Sequence, residues 1–470
     1  MTQPETTDAP AGERPTAPPP PLGPRFAHLF TFSALSNLAD GLIYVGVPLF
    51  ALTLTTSPGL VSLVTTAITL PWLLFALVAG VVIDRHDRVR ILVIASLVRI
   101  AVFLGAALAA ANDLLTMPLL LGLLVVLGTA EVFADGASSA LVPDVTPRAR
   151  LGAANSRLMG AQLVANSFLG APLAGFILAA GAGWLFGVPA GLVAAGVLVT
   201  LRGLWGKVRR GHGGLGAPSA EAPSSADRSV RRELREGLTF LWGHAVIRPI
   251  VLGGMSYNFL SNAYMAVFVV WVVGPASAVG LAPEQYGLLA MGLAAGGLAG
   301  AVLAERIIGQ GRERLVVAVT WGVCAVLLAV PALVPQVWSV AVAFTLIGFF
   351  NIVGNTATSA LRQRLVPSAI LGRVQGAAAT LGFGSMPLGA ALGGIVAELF
   401  GVRTLLLAVA VATVLVVVLT VRALPQSVID AAERAEEQRL AAREEEQRLA
   451  AAALDEEQRP AARDEDAQRA

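Results

Sequence analysis

The chain has 470 residues, 56% hydrophobic and only 14% charged, with a mean hydropathy of +0.72. Soluble domains carry roughly 25% charged residues, so this composition excludes an ordinary water-soluble fold and points to a membrane protein. The formal charge of +2 hides an asymmetry: residues 426–470 hold 13 acidic and 7 basic residues, leaving a body with 26 basic and 18 acidic ones, suited to anionic lipid headgroups.

Residues 1–24, with "APPPPLGP", read as a disordered tail prone to polyproline II and lack the apolar core of a cleavable signal peptide. Twelve apolar segments follow, near 26–54, 60–83, 91–111, 117–142, 155–180, 184–201, 248–273, 285–308, 315–334, 338–361, 373–399 and 402–422. Each reaches about 18 residues, enough to cross a hydrocarbon core of roughly 30 Å as a helix. The expected fold is an all-α membrane protein. Cys324, the single cysteine, lies in one of these runs and reads as core packing.

The loops set the expected orientation. Those after even-numbered segments carry Arg85, Arg88 and Arg90; Arg148 and Arg150; the arginines from Arg202 to Arg235; Arg306, Arg312 and Arg314; Arg362 and Arg364. Those after odd-numbered segments carry only Arg403. The positive-inside rule puts the even loops and both termini in the cytoplasm.

The long loop at 202–247 divides the spans into a bundle at 25–201 and another at 248–424, with a charged tail at 425–470. Its middle, "GHGGLGAPSAEAPSSAD", is a flexible linker. Next comes "SVRRELREGLTFLWGHAVIRP", where Ser229 can cap a helix with Val230, Leu234, Leu238, Leu241 and Trp242 on one side. Its arginines fill much of the rest, which predicts a helix lying in the cytoplasmic interface. The tail repeats "EEQRLAA" without a sustained heptad and reads as a solvated charged helix, not a coiled coil.

The two halves repeat. "SALVPDVTPRARLG" (139–152) and "SALRQRLVPSAILG" (359–372) align at a spacing of 220 residues, and "GAPLAG" (170–175) resembles "SMPLGA" (385–390). Six-plus-six repeats about an axis normal to the membrane characterise one large transporter fold. The loop between segments 2 and 3 reads "GVVIDRHDRVR". It resembles the loop signature of the major facilitator superfamily, matched by Gly80, Asp84, Arg85, Arg88 and Arg90, with Asp87 where a glycine is usual. A degenerate copy, "GAVLAERIIGQGRER", runs from Gly300 to Arg314. The resemblance covers about residues 25–425 and is closer to the macrolide-efflux and enterobactin-exporter branch of proton-coupled drug exporters. It rests there on "LSNLADGLIYVGVPLFALTLTTSPG", "VPDVTPRARLGAANSRLMGAQLVANSFLGAPLAG" and "RRELREGLTFLWGHAVIRP".

That resemblance implies two pseudo-symmetric six-helix bundles and a latch in this loop that stabilises one access state. The residues themselves allow a plainer role, anchoring topology by positive charge. Gly80 would let segment 2 approach a neighbour closely. Asp84 would meet a helix N-terminus of the other half. Arg88 would pair with Asp84 or with an acid on segment 4.

Asp40, Arg99, Glu131 and Asp135 lie within spans, where an isolated charge costs about 3 kcal/mol or more. Counting about 1.5 Å per residue puts Asp40 and Glu131 near the midplane, and Arg99 level with Asp135. An Arg99–Asp135 ion pair is therefore expected, and Asp40, Glu131 and Asp135 are the candidates for carrying a coupled proton. Asn37, Tyr44, Gln162, Asn166, Asn258, Asn262, Asn351 and Asn355 are candidate cavity-lining residues. The four histidines show no metal-ligand spacing, no phosphate-cradling loop occurs, and no enzyme, cofactor or nucleic-acid signature is present. The expected function is secondary active export of a hydrophobic or amphipathic small molecule in exchange for protons, by a monomer in the plasma membrane. Nutrient uptake by symport and a non-transporting receptor on a transporter fold remain open alternatives.

Overall fold

The structure, a computed structural model, describes residues 21–205, 230–309 and 312–436, with scattered further positions up to residue 449. The proline-rich tail before residue 21, the linker 206–229 with its Ser229 cap and the acidic repeats beyond residue 449 lie outside the described residues.

The first six membrane-crossing helices are α1 (Gly23–Leu54), α2 (Pro58–Arg85), α3 (Arg88–Ala111), α4 (Met117–Val145), α5 (Arg148–Ala180) and α6 (Ala182–Leu204). A surface helix, α7 (Val230–Gly243), follows. The second six are α8 (Ile247–Val272), α9 (Pro283–Ile307), α10 (Arg314–Leu333), α11 (Val337–Leu365), α12 (Ser368–Phe400) and α13 (Val402–Ala423). Eleven of these are long and apolar enough to cross a bilayer each by itself; α8 makes the twelfth, turning 109° from the preceding surface helix. Its run of Ser256, Tyr257, Asn258, Ser261 and Asn262 lowers its hydropathy; of these, Tyr257 accepts from Asn351 and Asn262 donates to the Asn258 carbonyl.

Local chemistry sets the helix ends. The Ser57 hydroxyl accepts from the Leu60 N–H to start α2, and Asp87 accepts from the Arg90 N–H to start α3. Asp87 thus replaces a turn glycine with a helix cap. Pro48, Pro71, Pro143 and Pro387 interrupt α1, α2, α4 and α12, and a π-helical stretch at Val164–Gly170 widens α5 where it crosses α1 at Gly41. Within the first bundle Phe50 and Phe186 meet edge to face at 5.9 Å; in the second, Phe268 and Phe344 stack at 4.7 Å.

An even number of crossings brings both chain ends to one face, here called the terminal face. The bundles meet towards the opposite, distal face. There Glu398 of α12 accepts from the Ser57 hydroxyl at 2.7 Å and the Gly59 N–H at 3.0 Å, at the N-terminus of α2. Gly394 lies against Ser62, where a Cβ would not fit, and Gly287 of α9 lies against Ala171 and Pro172 of α5. Midway, the rings of Trp72 and Phe383 stand 6.4 Å apart. Towards the terminal face α2, α5 and α12 stand apart from any neighbour at four glycines: Gly80, Gly160, Gly372 and Gly376 would meet nothing within 4 Å with a Cβ added. The bundles therefore touch towards the distal face, beside a cavity of about 1040 Å³ between the ends of α1, α3, α5 and α8, and stand apart towards the terminal face.

Two expectations need correction. Gly80 contacts no neighbour, because the bundles are apart at its level; its repeat counterpart Gly300 does pack closely, on Phe349. The surface helix α7 is strongly amphipathic, with Leu241 buried against the C-terminal bundle and Trp242, at its end, 54% exposed. The tail is not wholly solvated. Ile429 is 1% exposed and packs in one cluster with Leu241, Ile250 and Leu361, Glu433 reaches Arg364 at 3.0 Å, and on α7 Glu236 pairs with Arg373 at 2.6 Å.

Candidate functional site

Ser36, Asp40 and Tyr44 follow one another at four-residue intervals on α1 and so share a face. Opposite them stands Arg99 of α3, 0% exposed. Its guanidinium donates to the Ser36 hydroxyl at 2.7 Å and forms an ion pair with Asp40, and it lies 5.9 Å from the centre of the Phe103 ring. The ion pair expected between Arg99 and Asp135 is therefore replaced by one between Arg99 and Asp40. Equal depth on two helices does not bring side chains together unless their faces match, and the face of α3 carrying Arg99 is turned to α1.

Glu131 of α4, 6% exposed, accepts a hydrogen bond from the Tyr44 hydroxyl at 3.0 Å. Asp135, one turn further on, is half-buried and has no hydrogen bond or ion pair among the described residues. The cluster thus sets three carboxylates against one guanidinium. Arg99 balances Asp40; Glu131 has a neutral donor and Asp135 none. Chemically, carboxylates in excess of their counter-charge are groups on which a proton can be held.

Two cavities adjoin this framework. A central one of about 250 Å³ lies between the bundles, walled by Tyr44, Pro48, Thr69, Met265, Tyr286 and Phe344 among others. Tyr44 joins this apolar cavity to the carboxylate cluster behind it. The second, about 180 Å³, lies in the C-terminal bundle between α8, α10, α11 and α12. Asn258, Asn351 and Asn355 line it, with Tyr257, Trp321 and Arg362. The other expected lining residues line neither cavity. Asn37 and Asn262 donate to main-chain carbonyls of their own helices, those of Ser33 and Asn258. Gln162 is exposed on α5, and the Asn166 backbone is pressed against Gly41. Sequence reading missed Ser36, Tyr257, Trp321 and above all Arg362, which it counted among loop charges.

The signature loop joins α2 to α3. Arg88 donates to Asp144 of α4 at 2.8 Å and to the Ala140 carbonyl at 3.1 Å. Of its two expected partners, the acid on the fourth span is the one it takes. Asp84 and Arg85 are exposed, and neither has a partner among the described residues. Gly80 and Asp84 share a face of α2 that looks onto the terminal opening. Among the described residues no group of His, Cys, Asp or Glu is placed to hold a metal ion.

Two six-helix bundles around a central cavity define a membrane transporter of the major facilitator type. The chain belongs to the transmembrane secretion effector family of that superfamily, whose family model matches residues 17–458. It is 27% identical to the enterobactin exporter EntS of Citrobacter koseri over 75% of this chain and 80% of that one. It is 26% identical to the multidrug efflux pump Tap of Mycobacterium tuberculosis over 89% of this chain and 97% of that one. Among solved structures it is similar to the nucleoside transporter NupG, with a TM-score of 0.63 at 14% identity, over 85% of this chain and 99% of that one. A bacterial homologue of the lysosomal transporter Spinster, captured inward-facing, gives 0.59 at 16% identity, over 88% and 97%. At these identities the structural likeness speaks for the fold alone.

Proposed function

We propose that the protein exports amphipathic small molecules across the plasma membrane in exchange for protons. The observation that carries this reading is the Tyr44–Glu131 hydrogen bond, which ties the apolar central cavity to a buried carboxylate with no counter-charge of its own. The names of the relatives, an exporter and an efflux pump, favour outward transport.

The arginine-rich terminal face is cytoplasmic, so this conformation admits substrate from inside. An uncompensated charge at this depth costs several kcal/mol, so the surplus of carboxylates over Arg99 is neutralised by bound protons. Arrival of substrate and departure of a proton shift the balance between the two access states. On closure at the cytoplasmic side, the exposed face of Gly80 and Asp84 meets the opposite bundle and latches the outward-open state. The cavities are complete within one chain, and a monomer is the working unit.

The test is susceptibility of a pump-deficient bacterial host to a panel of amphipathic drugs. Expression should raise resistance to some of them, and a protonophore should abolish the gain. Unchanged susceptibility across the panel, or resistance indifferent to the protonophore, would overturn the reading. Increased drug sensitivity with increased uptake would favour a symporter.

A further inference from the structure

The C-terminal cavity has a polar stripe along one face of α11. Asn351, Asn355 and Arg362 recur at helical spacing and all line the cavity, together with Asn258 of α8. The Asn351 amide donates to the Tyr257 hydroxyl at 3.2 Å, and the Tyr257 ring stacks on Trp321 at 6.4 Å and 23°. The stripe ends at the terminal opening on Arg362, which is half-buried and whose guanidinium has no hydrogen bond or ion pair among the described residues. The neighbouring Arg364, by contrast, points to the tail and meets Glu433. In the N-terminal repeat the position of Arg362 is held by Val142. This cation is therefore not part of the shared scaffold, and no acid among the described residues pairs with it.

A half-buried guanidinium at the rim of a cavity, without counter-charge among the described residues, favours an anion, and its planar fork suits a carboxylate. The cationic alternative is disfavoured at the accessible surface. Asp40 and Glu131 are each 6% exposed and sit behind Tyr44, and Asp135 lines neither cavity. Building on the export reading, we propose that this cavity is a recognition subsite for organic anions: Arg362 holds a carboxylate or phenolate, Asn258 and Asn355 hydrogen-bond beside it, and a planar apolar body lies along Tyr257 and Trp321.

The test uses purified full-length protein and two probes of equal shape, 2-naphthoate and its neutral amide, 2-naphthamide, in equilibrium binding. The wild type should prefer the anion at least tenfold. Arg362→Gln should erase the preference, Arg362→Lys should keep at least a threefold preference, and Asn355→Ala should weaken both probes alike. No preference in the wild type, or an undiminished one in monodisperse Arg362→Gln, overturns the proposal. Should Arg362→Gln aggregate, the wild-type ratio and Arg362→Met decide by the same criteria. The same preparations in liposomes with a pH gradient separate this inference from the one beneath it. Arg362-dependent selectivity without proton-driven flux leaves the subsite and removes the coupling. Proton-driven flux without that selectivity removes the subsite alone.

Discussion

The Tyr44 hydroxyl donates to Glu131 Oε1 across 3.0 Å, linking a wall of the central cavity to a carboxylate that is almost fully buried. Asp40, the most central acid by depth, is instead held by Arg99. The two carboxylates thus differ: one is neutralised by a fixed cation, and the other has only a neutral donor.

The Arg99–Asp40 pair should behave as structure. Removing one partner of a buried ion pair costs about 3–5 kcal/mol, whereas removing both costs far less. Asp40→Asn and Arg99→Gln should each cut the yield of monodisperse protein severalfold, and the double variant should recover most of it. If the double variant is worse than either single one, Asp40 does more than pair.

Glu398 should hold the distal face shut. Its contacts with Ser57 and Gly59 join the bundles where Gly394 and Ser62 already touch. Thr65 lines the central cavity, and the single native cysteine is buried. In a Thr65→Cys background, Glu398→Gln should raise labelling of intact cells by an impermeant maleimide severalfold. Unaltered labelling would mean that helix packing alone closes this face.

The elbow between α7 and α8 should weaken in mild acid. His244 Nδ1 accepts from the Val246 and Ile247 N–H groups at 3.2 Å each, which requires a free lone pair. Burial, and then the nearby Arg439, hold the imidazole below its ordinary pKa. A histidine lowered in the fold gives stability that is fully present above about pH 6.5 and is lost as pH falls from there towards the folded value. Hydrogen exchange at residues 244–250 should quicken between pH 7.5 and 5.5, and His244→Asn should flatten that dependence. An equally steep response in the variant would locate the sensitive group elsewhere.

Much of this was legible in the sequence, because twelve long apolar runs and one-sided arginines follow directly from the cost of polar groups in lipid. What escaped depends on rotation about helix axes and on where helices end. Counting residues puts Arg99 level with Asp135, but a change of one residue turns a side chain by about 100°, and the face of Arg99 meets α1. Arg362 looked like a loop charge because the apolar run stops at Leu361, yet α11 continues to Leu365 and carries the arginine into a cavity. Ile429 escaped because its apolar run is too short to read as a packed face, although it is buried beside Leu424 with Val428 and Ala432 against the same cluster. Gly80 matched its motif, but here it meets no neighbour, because spacing along a helix does not say what stands opposite it.

The central claim, that a proton on the buried carboxylates drives transport, is tested most directly with Glu131→Gln in liposomes carrying an imposed pH gradient and a drug that the wild type confers resistance to. Glutamine keeps the size of the side chain and fixes its neutral form. The variant should still bind the drug within about threefold of the wild type and should exchange it downhill, yet lose accumulation driven by the gradient. Undiminished gradient-driven accumulation by folded Glu131→Gln would contradict the account.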